Sequence, residues 1–294
     1  MRRHIPWFRF EPKVRLRCIP RAMPQFLSHA DATIATAWST SLWVARAPHP
    51  IRGKGFYLIQ HIEDWDAPRE VILETWKLPL NKIVISHWLG DTAKGLGEES
   101  TYIPNGLDFD EFGIDIAPEA RDPFRVGMLW HRLPWKGSAI GLEALREVHE
   151  MYPMLHLDLF GVDPAPANLP EWVTYAQNPS RPELRALYNR CAIFVTPSFA
   201  EGWALPPAEA MQCGCALVAT AIGGHADYAI EGKTALTTSP QDPASIRDAV
   251  ANLFGSPDKR LQIAQEGNSW IRQYTWERAT SSLESLLQAE FMYR

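Results

Sequence analysis

Two carboxylates eight positions apart, Glu201 and Glu209, bracket a pair of prolines in TPSFAEGWALPPAEAMQCGCALVATAIGGHAD (196–227). Glu201 falls in a glycine-containing loop after the apolar run AIFVTP. Pro206 and Pro207 suit the first turn of a helix, where the N–H that proline lacks would be unpaired anyway. The start of such a helix offers free N–H groups and the positive end of its dipole, a combination that takes a phosphate or diphosphate. Glu209 falls near that start. Acceptor-only groups beside an anion make sense when the ligand also brings hydroxyls to them, as a nucleotide-sugar does. The plain alternative for the pair is a solvated loop acid and a helix N-terminal acid.

Other tempting signatures fail on spacing. EGKT (231–234) ends like a phosphate-binding loop, but Asp227 occupies the place of its first glycine, so the segment reads as a turn before a strand. Gly53/Gly55 and Gly95/Gly97 each begin a G-x-G with no third glycine at the dinucleotide-binding spacing. DWD (64–66) and DFD (108–110) are three-residue matches that chance supplies. Cys213-Gly-Cys215 lacks a second Cys or His pair at ligand spacing, so no metal site is expected and the cysteines read as small core residues. Four cysteines, with Cys18 and Cys191, do not make a disulfide framework and point to a reducing compartment. Trp38, Trp43 and Trp65 read as core, and Trp203 as a candidate sugar-stacking ring.

These residues need a scaffold, and the chain alternates short apolar or β-branched runs with amphipathic stretches, the pattern of an α/β protein with parallel sheets. Expected strands in the first part are 14–19, 32–37, 55–60, 82–87 and 100–104. A second series is expected at 124–129, 155–161, 172–176, 192–197, 216–220 and 235–238. Helices are expected at 138–151, 181–190, 206–214 and 242–255, and YTWERATSSLESLLQAEFMYR closes the chain at helical spacing. The polar, proline-containing GIDIAPEARDP marks a linker.

With 294 residues, 46% hydrophobic and 21% charged, the chain is an ordinary globular protein of two-domain length. Its longest apolar uncharged run, 32–45, has 14 residues, against roughly 20 for a membrane-spanning helix. Arg9 breaks the apolar IPWFRF before it can serve as a signal peptide, so a cytoplasmic protein is expected. Residues 1–21 hold seven Lys or Arg and one Glu, a balance of +6 within a total of −5. This basic, aromatic end has two readings: a peripheral contact with an anionic membrane face, or a solvated end followed by an edge strand. The acidic remainder argues against a nucleic-acid partner.

The chain resembles the retaining glycosyltransferases of family four, nucleotide-sugar-dependent enzymes of the GT-B fold. The resemblance rests on the glutamate pair in EGWALPPAEAMQCG with GGHAD, on IPNGLDFDEF (103–112) and on YTWERATSSLESL. It implies two Rossmann-like domains with parallel sheets: a shortened acceptor-side domain (1–112), a linker (113–123), a donor-binding domain (124–273) and a C-terminal helix (274–294) returning to the first. The implied activity is transfer of a sugar, of hexosyl type, from a nucleotide diphosphate sugar to a hydroxyl of a glycan or lipid-linked acceptor, in polysaccharide biosynthesis, with no metal or other cofactor. Glu201 would meet the donor sugar's hydroxyls, and the N–H groups of Gly202, Trp203, Ala204 and Leu205 would line sugar and diphosphate. Glu209 would hold the ribose. Lys136 and Arg132, or His131 in place of Arg132, would neutralise the diphosphate. His61 would face the sugar, and the loop AQNPS (176–180) would approach the base. Ala204 stands where the family more often has glycine. The first domain has no glycine-rich opening loop, which leaves a truncated chain, completion by another polypeptide or a different acceptor architecture. The rivals are a donor-binding subunit needing that partner and a sugar-nucleotide epimerase or hydrolase on the same fold.

Overall fold

A computed structural model describes residues 11, 13–19 and 23–292. The first part of the chain runs β1 (Ala32–Ala35), α1 (Trp38–Arg46), α2 (His49–Arg52), β2 (Lys54–Ile59), α3 (Arg69–Trp76), β3 (Asn81–Val84), α4 (His87–Gly95) and β4 (Ser100–Tyr102). The four strands form one sheet in the order β1-β2-β3-β4, with β1 parallel to β2 from Ala32 opposite Lys54 to Ala35 opposite Tyr57. Phe56, Tyr57 and Ile59 are all buried, as in a strand covered on both faces. Two compact units result: the described residues up to 58 with 63–82, and 59–62 with 83–292. The short peptide after β2 therefore belongs with the second unit.

The second unit continues with β5 (Arg125–Leu129), α5 (Ser138–Met151), β6 (His156–Gly161), β7 (Val173–Gln177), α6 (Arg181–Arg190), β8 (Ile193–Thr196), α7 (Leu205–Gln212), β9 (Ala216–Thr220), α8 (Gly223–Ala226) and β10 (Ala235–Thr238). It ends with α9 (Pro243–Gly255), α10 (Pro257–Ile271) and α11 (Trp276–Met292). Its six strands are parallel in the order β10-β9-β8-β5-β6-β7. From β5 the chain winds one way through β6 and β7, then restarts at β8 on the other side. A crevice opens at the carboxyl ends of strands where the winding reverses, so the loops after β5 and β8 are the place for a ligand.

Val126, Met128, Leu157, Leu159, Ile193, Val195 and Val218 build the core of this sheet with Leu142, Leu145 and Val148 of α5 and Ile246, Val250 and Leu253 of α9. A Cβ at Gly141 would lie 2.5 Å from the Met128 sulfur, so glycine is what lets α5 lie this close to β5. One charge is buried in the sheet. Asp158 accepts from Arg125 (2.5 Å), Arg190 and Thr174 (2.6 Å). Burial alone would raise its pKa, but those hydrogen bonds outweigh burial and hold the carboxyl well below the usual range.

Several expectations change. Residues 14–19 carry no strand, and Val14 and Leu16 are exposed, because alternation alone does not supply a partner strand. The run expected to 87 stops at Val84, and His87 starts α4 instead. Trp65 is exposed rather than core, and so is Cys18, whereas Cys191, Cys213 and Cys215 are buried free thiols. Most of the basic stretch 1–21 lies outside the described residues. The segment 113–123 lies between β4 and β5, and α11 is anchored near 106–107: Leu107 N–H donates to Tyr274 (3.0 Å), and Gly106 leaves room for Trp276. Among the described residues no helix is long and apolar enough to cross a membrane.

Candidate functional site

Adjacent parallel strands bring Lys136 and Glu201 together. After β5 the chain makes a single 3-10 turn, Pro134–Lys136, and Gly137 takes a left-handed conformation (φ +64°). A Cβ at Gly137 would lie 2.1 Å from the Pro197 carbonyl oxygen, so the loop after β5 sits directly on the loop after β8. A backbone bond from Phe199 N–H to Trp135 (2.8 Å) ties the two loops. Lys136 Nζ then donates to both Glu201 carboxylate oxygens, at 2.8 and 2.9 Å. The two side chains are only 23% and 12% exposed, which strengthens the pair relative to one in bulk water.

The loop 201–204 leads into α7. Pro206 and Pro207 occupy its first turn and lack N–H groups, so of the first three helical residues Leu205 alone has an N–H to offer, and the dipole retains its positive end there. The loop is packed through glycines. A Cβ on Gly202 would meet the Gln60 carbonyl oxygen at 1.8 Å, and one on Gly224 would meet the Glu201 carbonyl oxygen at 2.4 Å. The Ala204 carbonyl accepts from Tyr228 OH (3.0 Å). Trp203 does not offer its ring for stacking: it is 5% exposed, edge-on to Tyr228 and Tyr274 at 5.0 and 5.4 Å.

Glu209 faces a different neighbourhood. It is buried in α7 and accepts from Arg181 Nη1 (3.2 Å) and Tyr188 OH (3.0 Å). Those two lie seven positions apart on α6, two helical turns, and therefore share a face. Burial pushes the Glu209 pKa up, with Arg181 and Tyr188 opposing it and Glu111 adding to it. The Tyr188 phenol, wholly buried beside that carboxylate, titrates far above its ordinary range. Nothing in the spacing of either helix signals this crossing, so Arg181 and Tyr188 are invisible to sequence reasoning.

His61 is half-buried on the peptide that packs against Gly202, and its Nδ1–H donates to the Ile62 carbonyl (2.6 Å), an acceptor that places a proton on Nδ1. Trp88 was missed as well: its Nε1–H donates to the Gly202 carbonyl (2.9 Å). Arg132 is exposed, and its backbone N–H donates to Asp163 (2.9 Å). His131 accepts from Leu133 N–H at Nδ1 (3.1 Å). Of the expected cations, Lys136 is the one that reaches Glu201 among the described residues. Buried His225 donates from Nδ1 to the Thr220 carbonyl (2.9 Å); burial lowers its pKa, with Glu201 raising and Lys136 lowering it.

The short acidic motifs have local work. Asp108 of DFD accepts from the N–H groups of Asp110 and Glu111 (2.9 Å each), capping a turn. Asp64 and Asp66 of DWD pair with Arg69 and with Trp38 Nε1. Glu231 of EGKT accepts from Thr237 at the turn into β10.

Comparison with known proteins places this geometry. The chain is 29% identical over 170 residues to the D-inositol 3-phosphate glycosyltransferase of Corynebacterium efficiens, covering 52% of this chain and 40% of that protein. It spans well under two thirds of the length of the curated relatives it matches. Among solved structures, sucrose-phosphate synthase from Thermosynechococcus elongatus superposes with a TM-score of 0.75 at 18% identity, over 89% of this chain and 74% of the other. HepE from Anabaena, solved in complex with UDP-glucose, gives 0.72 at 18% identity over 86% of this chain and 78% of its own. These likenesses carry the fold, the GT-B arrangement of two parallel α/β sheets. Residues 117–270, just over half of the chain, match the family described as glycosyl transferases group 1. That match takes in Lys136, Glu201 and Glu209 together, and the chain belongs to the group 1 glycosyl transferases.

Proposed function

We propose that this glycosyltransferase moves a sugar from a nucleotide diphosphate sugar to a hydroxyl of a glycan or lipid-linked acceptor, with retention of anomeric configuration. One observation carries the donor reading: Lys136 and Glu201 meet at the reversal point of the sheet, directly before the N-terminus of α7. The diphosphate lies against Lys136 and that helix end, with the N–H groups of Gly202, Trp203, Ala204 and Leu205 along it, and Arg132 is the second cation. Glu201 accepts from the sugar's hydroxyls, Glu209 from the ribose and His61 faces the sugar. Ligand diphosphate and Glu201 compete for the same Lys136 ammonium, so donor binding releases Glu201 toward the sugar. As the sugar leaves, negative charge grows on the diphosphate, where Lys136 and the helix end stabilise it without reorganising. A diphosphate oxygen takes the acceptor's proton, and the protein's own cations serve in place of a metal.

Residues 1–112 are the acceptor side in this reading, residues 124–273 hold the donor, and the segment 176–180 approaches the base. HepE was solved with UDP-glucose and a mycobacterial relative is named as GDP-mannose-dependent, so the test begins with nucleotides. A thermal-shift panel of UDP, GDP, ADP and dTDP is run on the chain, on Glu209→Ala and on Lys136→Ala. A ligand at 100 times its Kd contributes about 2.7 kcal/mol, or several degrees for a chain of this size. One nucleotide shifting the wild type but neither variant supports the reading; no shift from any of them refutes it. Nuclear magnetic resonance of the first product formed then reads the anomeric configuration.

A further inference from the structure

Four segments that lie far apart in sequence meet around one indole. Trp88, on the first turn of α4, donates its Nε1–H to the Gly202 carbonyl at 2.9 Å. Its ring occupies the space where a side chain on Gly223 would stand: a Cβ there would lie 2.4 Å from Trp88 Cγ. The same ring meets His61 edge-on at 6.0 Å. Gly202 is in turn pressed on the Gln60 carbonyl, and Gly224 on Glu201. Three glycines thus accept three contacts that no other residue type fits, and Trp88 touches the segments carrying His61, Gly202 and Gly223.

We propose that Trp88 is a positioning residue that holds the Glu201–Gly202 loop and His61 in the arrangement that receives the sugar half of the donor, an assignment that rests on the donor reading above. The Gly202 carbonyl is fixed by a single directional bond from the indole, and the loop has no regular structure of its own between β8 and α7. Glu209 draws its support from α6, through Arg181 and Tyr188, and Lys136 from the loop after β5. Loosening Trp88 therefore disturbs Glu201, His61 and the loop N–H groups on the sugar side most, and leaves Lys136 and Glu209 in place for the diphosphate and ribose. A misplacement of about 1 Å at a reacting centre costs on the order of a hundredfold in rate, so the bond acts on turnover as well as on binding.

The discriminating variant is Trp88→Phe, which keeps an aromatic ring and removes the N–H. Calorimetric titration compares UDP-glucose with UDP and GDP-mannose with GDP on the full chain. The expected result is a loss of affinity for the nucleotide-sugar that binds about tenfold larger than the loss for its nucleotide diphosphate, which keeps Lys136 and Glu209 and gives up only loop N–H contacts. Equal losses for both ligands, or none for either, overturn the proposal. Gly223→Ala displaces the indole without removing it and should produce the same split, which guards against a folding defect peculiar to the first variant. Amide hydrogen exchange needs no ligand. It should accelerate in peptides covering 199–206 and 222–226 of Trp88→Phe, and unchanged exchange there overturns the hold on the loop by itself. A wild-type chain that binds neither nucleotide defeats the donor reading instead, and with it the sugar-side role, while the exchange result still decides the loop.

Discussion

Glu201 and Glu209 stand at the two ends of one short stretch and are held in contrasting ways. Glu201 projects from an irregular loop and has both carboxylate oxygens on a single lysine ammonium, the end of a flexible side chain. Glu209 sits within α7, clamped by a guanidinium and a buried phenol that both come from α6. Holding Glu209 by two groups from a rigid helix suits it to a part of the ligand that stays put. Leaving Glu201 to one exchangeable lysine suits it to a part that must be grasped and released. The loop obtains its order from close backbone approaches at Gly202 and Gly224 together with the bonds that Trp88 and Tyr228 donate to its Gly202 and Ala204 carbonyls.

The contrast breaks most severely at Lys136. Lys136→Met removes the cation that faces both Glu201 and the proposed leaving diphosphate, and turnover should fall by roughly 10²- to 10³-fold, the usual loss when a charge-stabilising donor is deleted. Arg132→Ala should cost about tenfold or less, because Arg132 is exposed where Lys136 is largely enclosed. Steady-state rates of the two variants under one set of conditions check the ranking; a larger loss at Arg132 would exchange their roles.

Gly202→Ala tests the backbone side of the same contrast. The added methyl would lie 1.8 Å from a carbonyl oxygen, so the loop must move, and overpacking of this kind costs about 1–3 kcal/mol. Thermal unfolding should show that loss, while Gly232→Ala, with open space around it, lacks the steric clash and pays only for its positive φ. Equal and small effects at both glycines would mean that the loop is freer than its packing implies.

Much of this arrangement is legible in the sequence. The helices 138–151 and 181–190 and the strands 216–220 and 235–238 fall where the apolar periodicity puts them, because each pattern reports the face that a parallel α/β unit must bury. The glutamate pair and its prolines mark the loop and helix that the structure sets at the carboxyl end of β8. Three-dimensional crossings are what the sequence conceals. Arg181 and Tyr188 look like ordinary residues of an amphipathic helix until α6 is laid against α7, and Trp88 carries no motif at all. Residues 14–19 fail for the same reason: alternation describes a strand's two faces and says nothing about whether a neighbour exists. Trp203 fails because a residue beside a site glycine can turn its ring inward to the core while its backbone stays in the loop.

The smallest expected effect is a pH dependence on the helical side. Burial raises the pKa of Glu209 above its ordinary value of 4.5, so between those two values the folded chain binds more protons at this site than the unfolded chain does. Stability contributed by the group is then fully present below about 4.5 and is lost as pH rises through the folded pKa. Glu209→Gln removes the titration while keeping an acceptor for Tyr188. The stability of the wild type relative to this variant should therefore decline as pH climbs from 4.5 toward neutrality, with the decline kept small by Arg181 and Tyr188, which favour the carboxylate. Denaturant unfolding of both chains across that range reads the difference directly. A gap that instead widens in favour of the wild type would mean that the two α6 partners outweigh burial, and that Glu209 is held as a charge rather than against one.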